Sequence, residues 1–174
     1  MVERFVALGR YAHTCGADAV LFTCSAFGPA IEAAQAALPI PVLKPNEAMF
    51  DEALAAGDRI GLLATFAPSV PALKAELEQM ARERRCRIQI STLTVPSALK
   101  ALHAGQIEEH DRMIAQAAEE IGECDALILG QFSMASAATV IADRPGRRVL
   151  TSPTSAVLQL KRVLTEKVPE PAAG

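Results

Sequence analysis

The chain has 174 residues, a net charge of −3, and a composition that is 51% hydrophobic but 4% aromatic, with one Tyr and no Trp. So small a charge gives no electrostatic case for nucleic acid or an anionic membrane surface, and a core must be built from Ala, Leu, Val and Ile. Cys15, Cys24, Cys86 and Cys124 show neither paired CxxC spacing nor neighbouring histidines, which argues against a metal site. With no secretory signal pattern and no apolar run of about 18 residues, free thiols in a reducing cytoplasm are the expectation.

In chain order, a helix is expected over residues 2–13, closed by Gly16 in the position that favours a left-handed cap. Val20-Leu21-Phe22 is a continuous apolar run and reads as a strand covered on both faces. Pro29 marks the first turn of a helix that reaches about residue 37, where Pro39 and Pro41 stop it. Cys24 and Ser25 fall in the strand-to-helix turn between them. There, unpaired N–H groups and the positive end of a helix dipole ease ionisation, so a thiol can serve as base or nucleophile. Next come a short strand at 41–44, a helix at 46–56 ended by Gly57, a strand at 58–65 and a helix at 68–84.

Residues 86–90 alternate and read as a strand, with 91–96 as a polar connection. Two helices follow, one ending near Gly105 and one over 107–121. The stretch 125–133 holds another strand, 134–142 a helix, and Pro145-Gly146 a turn. A strand at 148–151 leads into a last helix over 152–167, and the proline-bearing tail 168–174 is expected to be disordered. Strands alternating with helices indicate α/β architecture with parallel sheets flanked by helices.

The chain also repeats itself. At a constant offset of 107 residues, Asp18 matches Asp125, Cys24 matches Gln131, and Val42-Leu43 matches Val149-Leu150. With a one-residue gap, Arg4-Phe5-Val6-Ala7 matches Arg112-Met113-Ile114-Ala115. A helix, strand, helix, strand unit therefore occurs twice, which points to two pseudo-symmetric lobes. The first lobe covers 1–57 and is completed by the C-terminal helix 152–167; the second covers 58–151. The second copy is preceded by a strand, helix, strand block that the first lacks, so the first lobe reads as shortened at its opening strand and helix. Either the ancestral start lies upstream or the chain is a shortened relative, and an edge strand from another molecule would fill the gap; a homo-oligomer is compatible with this.

In open parallel sheets, ligands bind beyond the carboxyl ends of the strands. Those ends carry Thr23-Cys24-Ser25, Lys44-Pro45-Asn46, Thr65, Gln131-Phe132-Ser133 and Thr151-Ser152, and hydroxyls beside helix N-termini suit a carboxylate or phosphate. Any one of them also reads as a simple helix cap. Lys44 and Glu47 read as solvated, Cys15, Cys86 and Cys124 as packing residues, and His13, His103 and His110 as surface or capping histidines away from the sheet edge.

Phe22-Thr23-Cys24-Ser25-Ala26, Ile60-Gly61-Leu62-Leu63-Ala64-Thr65 and 125–133 together resemble the aspartate/glutamate racemase superfamily, which includes hydantoin racemases, maleate isomerases and arylmalonate decarboxylases. The resemblance implies two similar α/β lobes with a small carboxylate substrate between them and neither metal nor organic cofactor. It also implies a two-base reaction with one cysteine from each lobe. Cys24 takes the first of those places; the second falls on Gln131, which exchanges no proton near neutrality. Cys124 lies roughly 23 Å from Gln131 along an extended strand and cannot replace it. Substrate contacts are then expected from Ser25, Ala26, Thr65, Gln131, Phe132 and Ser133. The readings left open are a one-thiol racemase, isomerase or decarboxylase type of enzyme, an inactive or ligand-binding relative, and a Cys-dependent hydrolase.

Overall fold

The computed structural model describes residues 1–24, 27–141 and 145–166. It forms two compact units, one of Met1–Glu47 with the chain from Ala156, the other of Ala48–Ser155. The first boundary precedes the one read from the sequence. Helix α3 (Glu47–Ala56) explains this, because its Met49, Phe50 and Ala53 are wholly buried in the second unit's core.

In the first unit, α1 (Val2–Thr14) ends at Gly16, whose φ of +88° is open to glycine at no steric cost. The N–H groups of Gly16 and Ala17 return to the His13 and Ala12 carbonyls and so satisfy the helix end. Strand β1 (Val20–Leu21) pairs in parallel with β2 (Val42–Leu43), and α2 (Gly28–Ala37) connects them with proline in its first turn. Ile31, Ala34, Leu38 and Val42 form the core, packed by Phe5, Val6, Val20 and Phe22. Gly9 is buried against Leu38, where an added Cβ would meet Leu38 Cδ1 at 2.9 Å. Val20 and Leu21 are half-buried and not enclosed on both faces as their apolar run suggested; among the described residues β1 has β2 as its one strand neighbour.

The second unit holds a parallel sheet in the order β4-β3-β5-β6. Its strands are β3 (Arg59–Ala64), β4 (Gln89–Thr94), β5 (Ala126–Leu129) and β6 (Arg148–Thr151). Helices α4 (Val70–Glu83), α5 (Pro96–His103) and α6 (Ile107–Glu120) connect them, and α7 (Ser152–Glu166) follows β6. Leu63, Leu127 and Leu129 pack against Ile114, Ala117 and Ala118 of α6. On the other cluster, Ile60, Leu62 and Ile128 meet Met49 and Phe50 of α3 and Leu73 and Leu77 of α4. β3 and β5 are buried on both faces, Arg59 excepted, as their unbroken apolar runs require.

Three local expectations change. The fourth strand is Gln89–Thr94, not 86–90, because the serine and threonine stretch pairs residue for residue with β3 at the sheet's rim, where side chains remain in water. The stretch after β5 is a 3₁₀ helix, Phe132–Thr139, in place of an α-helix over 134–142. Its alanines lie close against α6, and its ends close with i to i+3 bonds from Met134 to Gln131 and from Val140 to Ala137. His110 is completely buried: it shares the inward face of α6 with Ile114 and Ala117 by helical spacing, and the Asp111 carboxylate, 2.7 Å from Nδ1, makes that burial tolerable. Residue 142, Lys167 and the tail 168–174 lie outside the described residues.

The pairing register carries the internal repeat. Val20 pairs with Val42, and 107 residues on Leu127 pairs with Val149; Leu21 pairs with Leu43, and Ile128 with Leu150. Two strand pairs thus align through the same backbone partners. Each is bridged by a helical segment packed on the preceding helix, α2 on α1 and the 3₁₀ helix on α6. In the second unit β5 has a further neighbour, β3, for which β1 has no counterpart among the described residues.

Candidate functional site

In the first unit, Cys24 is exposed three residues beyond the end of β1, after Phe22 and Thr23 and before α2. Phe5 of α1 packs on a residue to either side of Cys24, 4.7 Å from Phe22 and 5.2 Å from Phe27, centroid to centroid, both tilted. Phe5 is legible in the sequence as part of the repeat match Arg4-Phe5-Val6-Ala7. Ser25 and Ala26 lie outside the described residues. Lys44, just past β2, is held on Glu32 with Nζ 2.7 Å from Oε1.

In the second unit, the carboxyl ends of β3 and β5 are tied by Gln131. Its Oε1 accepts from the Thr65 backbone N–H at 2.8 Å and from the Thr65 hydroxyl at 3.3 Å. Its Nε2 donates to Ser69 Oγ at 2.8 Å, and Ser69 donates onward to the Phe66 carbonyl at 2.7 Å. Thr65 is 1% exposed, so its N–H has no access to water and depends on the glutamine. Gly130 allows the approach: its N–H reaches the Leu63 carbonyl at 2.8 Å, and a Cβ there would sit 3.0 Å from that oxygen. Phe132 is half-buried and Ser133 exposed at the start of the 3₁₀ helix. Ser69 carried no sequence signal, since it lies inside a turn after β3 and matches no motif.

Cys124 sits at the other end of the sheet, buried against Gly61, and burial pushes its thiol pKa up. It borders a cleft of about 370 Å³ that Arg59, Asp125 and Arg147 also line. Arg59 there holds Asp125 by its own N–H at 3.0 Å and by Nη2 at 2.7 Å, which keeps that carboxyl below the usual range. No group of His, Cys, Asp and Glu among the described residues is arranged to hold a metal ion, and no helix among them is long and apolar enough to cross a membrane.

The structure therefore places an exposed thiol three residues after β1 and, at the matching position after β5, an amide engaged at both its oxygen and its nitrogen, each in its own unit. A family model described as Asp/Glu/Hydantoin racemase matches residues 5–160. Glutamate racemase isoform RacE1 from Bacillus anthracis is similar in structure at 16% identity and a TM-score of 0.65, over 96% of this chain and 66% of that one. A double mutant of arylmalonate decarboxylase in its liganded form is similar at 17% identity and a TM-score of 0.71, over 96% and 75%. Allantoin racemase from Klebsiella pneumoniae is similar at 18% and 0.68, over 99% and 69%. This chain thus spans about two thirds to three quarters of the length of these structures. No curated protein matches the sequence at a significant level. With a family match running across most of its length and a fold shared with these proteins, the chain belongs to the Asp/Glu/hydantoin racemase family.

Proposed function

We propose that the chain acts, without cofactor, at the carbon beside a carboxylate of a small acid, with Cys24 as its single proton carrier and with reaction on one face of that carbon. The observation that supports this is Gln131. At the repeat position of Cys24 stands an amide whose oxygen and nitrogen are both engaged, on Thr65 and on Ser69, and an amide delivers no proton near neutrality. Two-base racemisation needs a proton carrier on each face. One thiol suffices where a carboxyl group leaves as carbon dioxide and the electron pair left on carbon takes the Cys24 proton, which solvent then replaces. It also suffices where a thiolate adds to a double bond and is expelled after rotation. Ser133, with the main chain around Thr65, Gln131 and Phe132, would hold the carboxylate, and Ser25 and Ala26 would complete the thiol loop.

The test is incubation with substituted malonates, maleate and amino acids in D₂O, followed by NMR. Expected is one-face labelling of the product from malonates or of the amino acid, or an unlabelled trans isomer from maleate, each abolished by Cys24→Ala. Exchange on both faces, or turnover that survives Cys24→Ala, would refute the reading. The engaged amide equally favours a second reading, a carboxylate-binding relative without turnover; calorimetric binding of the same acids with no product would select it.

A further inference from the structure

β4 is an outer strand, and its far edge carries nothing that discourages pairing. The amides of Gln89 and Val95 donate inward, to the Asp58 carbonyl at 2.7 Å and the Ala64 carbonyl at 2.8 Å. Alternation along a strand then turns the main-chain groups of Ile90, Thr92 and Thr94 outward, where no strand among the described residues meets them. Natural sheets guard such an edge with charge, proline, a bulge or shortness. Between Gln89 and Thr94 there is no charged residue and no proline. The register with β3 is unbroken from Arg59↔Gln89 to Ala64↔Thr94, and Gln89, Ser91, Thr92 and Thr94 are exposed. The sheet's other outer strand, β6, is shorter and opens on a charged residue, Arg148.

We infer that β4 pairs antiparallel with β4 of a second copy of this chain, about a two-fold axis at Thr92. Residues that exchange both bonds across an antiparallel pair must have outward-facing main-chain groups, so Thr92 faces Thr92 and Ile90 faces Thr94 in both directions, with about six hydrogen bonds. The edge is its own complement. That register sets β-branched residues against each other, puts Ser91 beside Leu93 on the opposite face, and opposes no like charges. The groove beside the edge, about 280 Å³, is lined by Leu93 and Val95 and by Arg112, Gln116 and Glu120 of α6, with Arg112 held on Glu109 of its own helix at 2.7 and 2.8 Å. One strand and one helix flank make a small interface, so association is weak and concentration-dependent.

Sedimentation velocity across the micromolar range tests this on the full chain. A monomer–dimer equilibrium is expected, weakened about tenfold or more by Thr92→Lys, which opposes two ammonium groups at the axis, with an unchanged circular dichroism spectrum. In a background where Cys15, Cys24 and Cys86 are serine, Thr92→Cys should cross-link under oxidation, since facing Cα atoms lie about 5.5 Å apart. Ser91→Cys, displaced by two residues from its own copy, should not. A monomer at every concentration, a dimer indifferent to Thr92→Lys, or equal cross-linking of the two cysteine variants would each overturn the inference.

Discussion

Replacing Gln131 by leucine keeps the volume and removes both halves of the amide. Thr65, 1% exposed, then has a buried N–H with no acceptor within its own turn, and a stranded buried donor costs about 1–3 kcal/mol. Ser69 loses one donor but keeps its bond to the Phe66 carbonyl and is half-buried, so its share is small. Together the loss is about 2 kcal/mol in the second unit. At a urea dependence of about 2 kcal/mol per molar, the midpoint followed by circular dichroism should fall by about 1 M. In hydrogen exchange, the Thr65 amide should lose protection more than the amides of Leu62 and Leu63 in mid-strand. Gln131→Glu should recover most of the loss, because a carboxylate oxygen still accepts from Thr65. A Gln131→Leu protein within about 0.5 kcal/mol of the parent, the usual range for a surface change, would refute the claim that this amide braces the sheet edge.

Asp125, held low chiefly by its hydrogen bond from Arg59, has a folded pKa below its unfolded one. Its contribution is present above the unfolded value and lost as pH falls through the folded value. Asp125→Asn should therefore lower Tm at neutral pH, with the gap closing toward acid; a gap constant with pH would contradict this. Thiol titration with a chromogenic disulfide near neutral pH should react Cys15, Cys24 and Cys86 quickly and Cys124 slowly, since Cys124 alone among them is buried, with its pKa raised by that burial; four equal rates would contradict it. Asp111→Ala removes the acceptor of both His110 Nδ1 and the Ser136 hydroxyl, at 2.7 and 2.8 Å. It should cost about 2–3 kcal/mol in denaturant unfolding, and a loss below about 0.5 kcal/mol would show the cluster to be peripheral.

What was legible in the sequence was periodic or repeated. The buried strands announce themselves as Ile60-Gly61-Leu62-Leu63-Ala64 and Ala126-Leu127-Ile128-Leu129, apolar throughout because both faces are covered. The 107-residue offset reappears as a shared pairing register. β4 was misplaced because an edge strand needs no apolar run: its backbone is fixed by β3, and its side chains are free to be Ser and Thr. His110 was misread for a related reason. Helical spacing puts it on the inward face of α6, but its burial depends on an adjacent carboxylate and on Ser136, 25 positions later, which no local pattern announces.

The candidate site divides along the same line. Cys24 stands out because a strand end and a proline-opened helix bracket it, a local signal, and Gln131 stands out because the repeat names it as the counterpart. What Gln131 does could not be read that way. Its partners, Thr65 and Ser69, belong to another strand and the turn beyond it, so the brace exists only once β3 and β5 are side by side. The amide therefore has a structural role of its own. It keeps a buried N–H satisfied where a thiol would satisfy it poorly, since sulfur is a weak acceptor. Replacing Gln131 by cysteine would put a thiol at the repeat position of Cys24 while withdrawing the brace, so on the function proposed above a second proton carrier and the brace compete for one position.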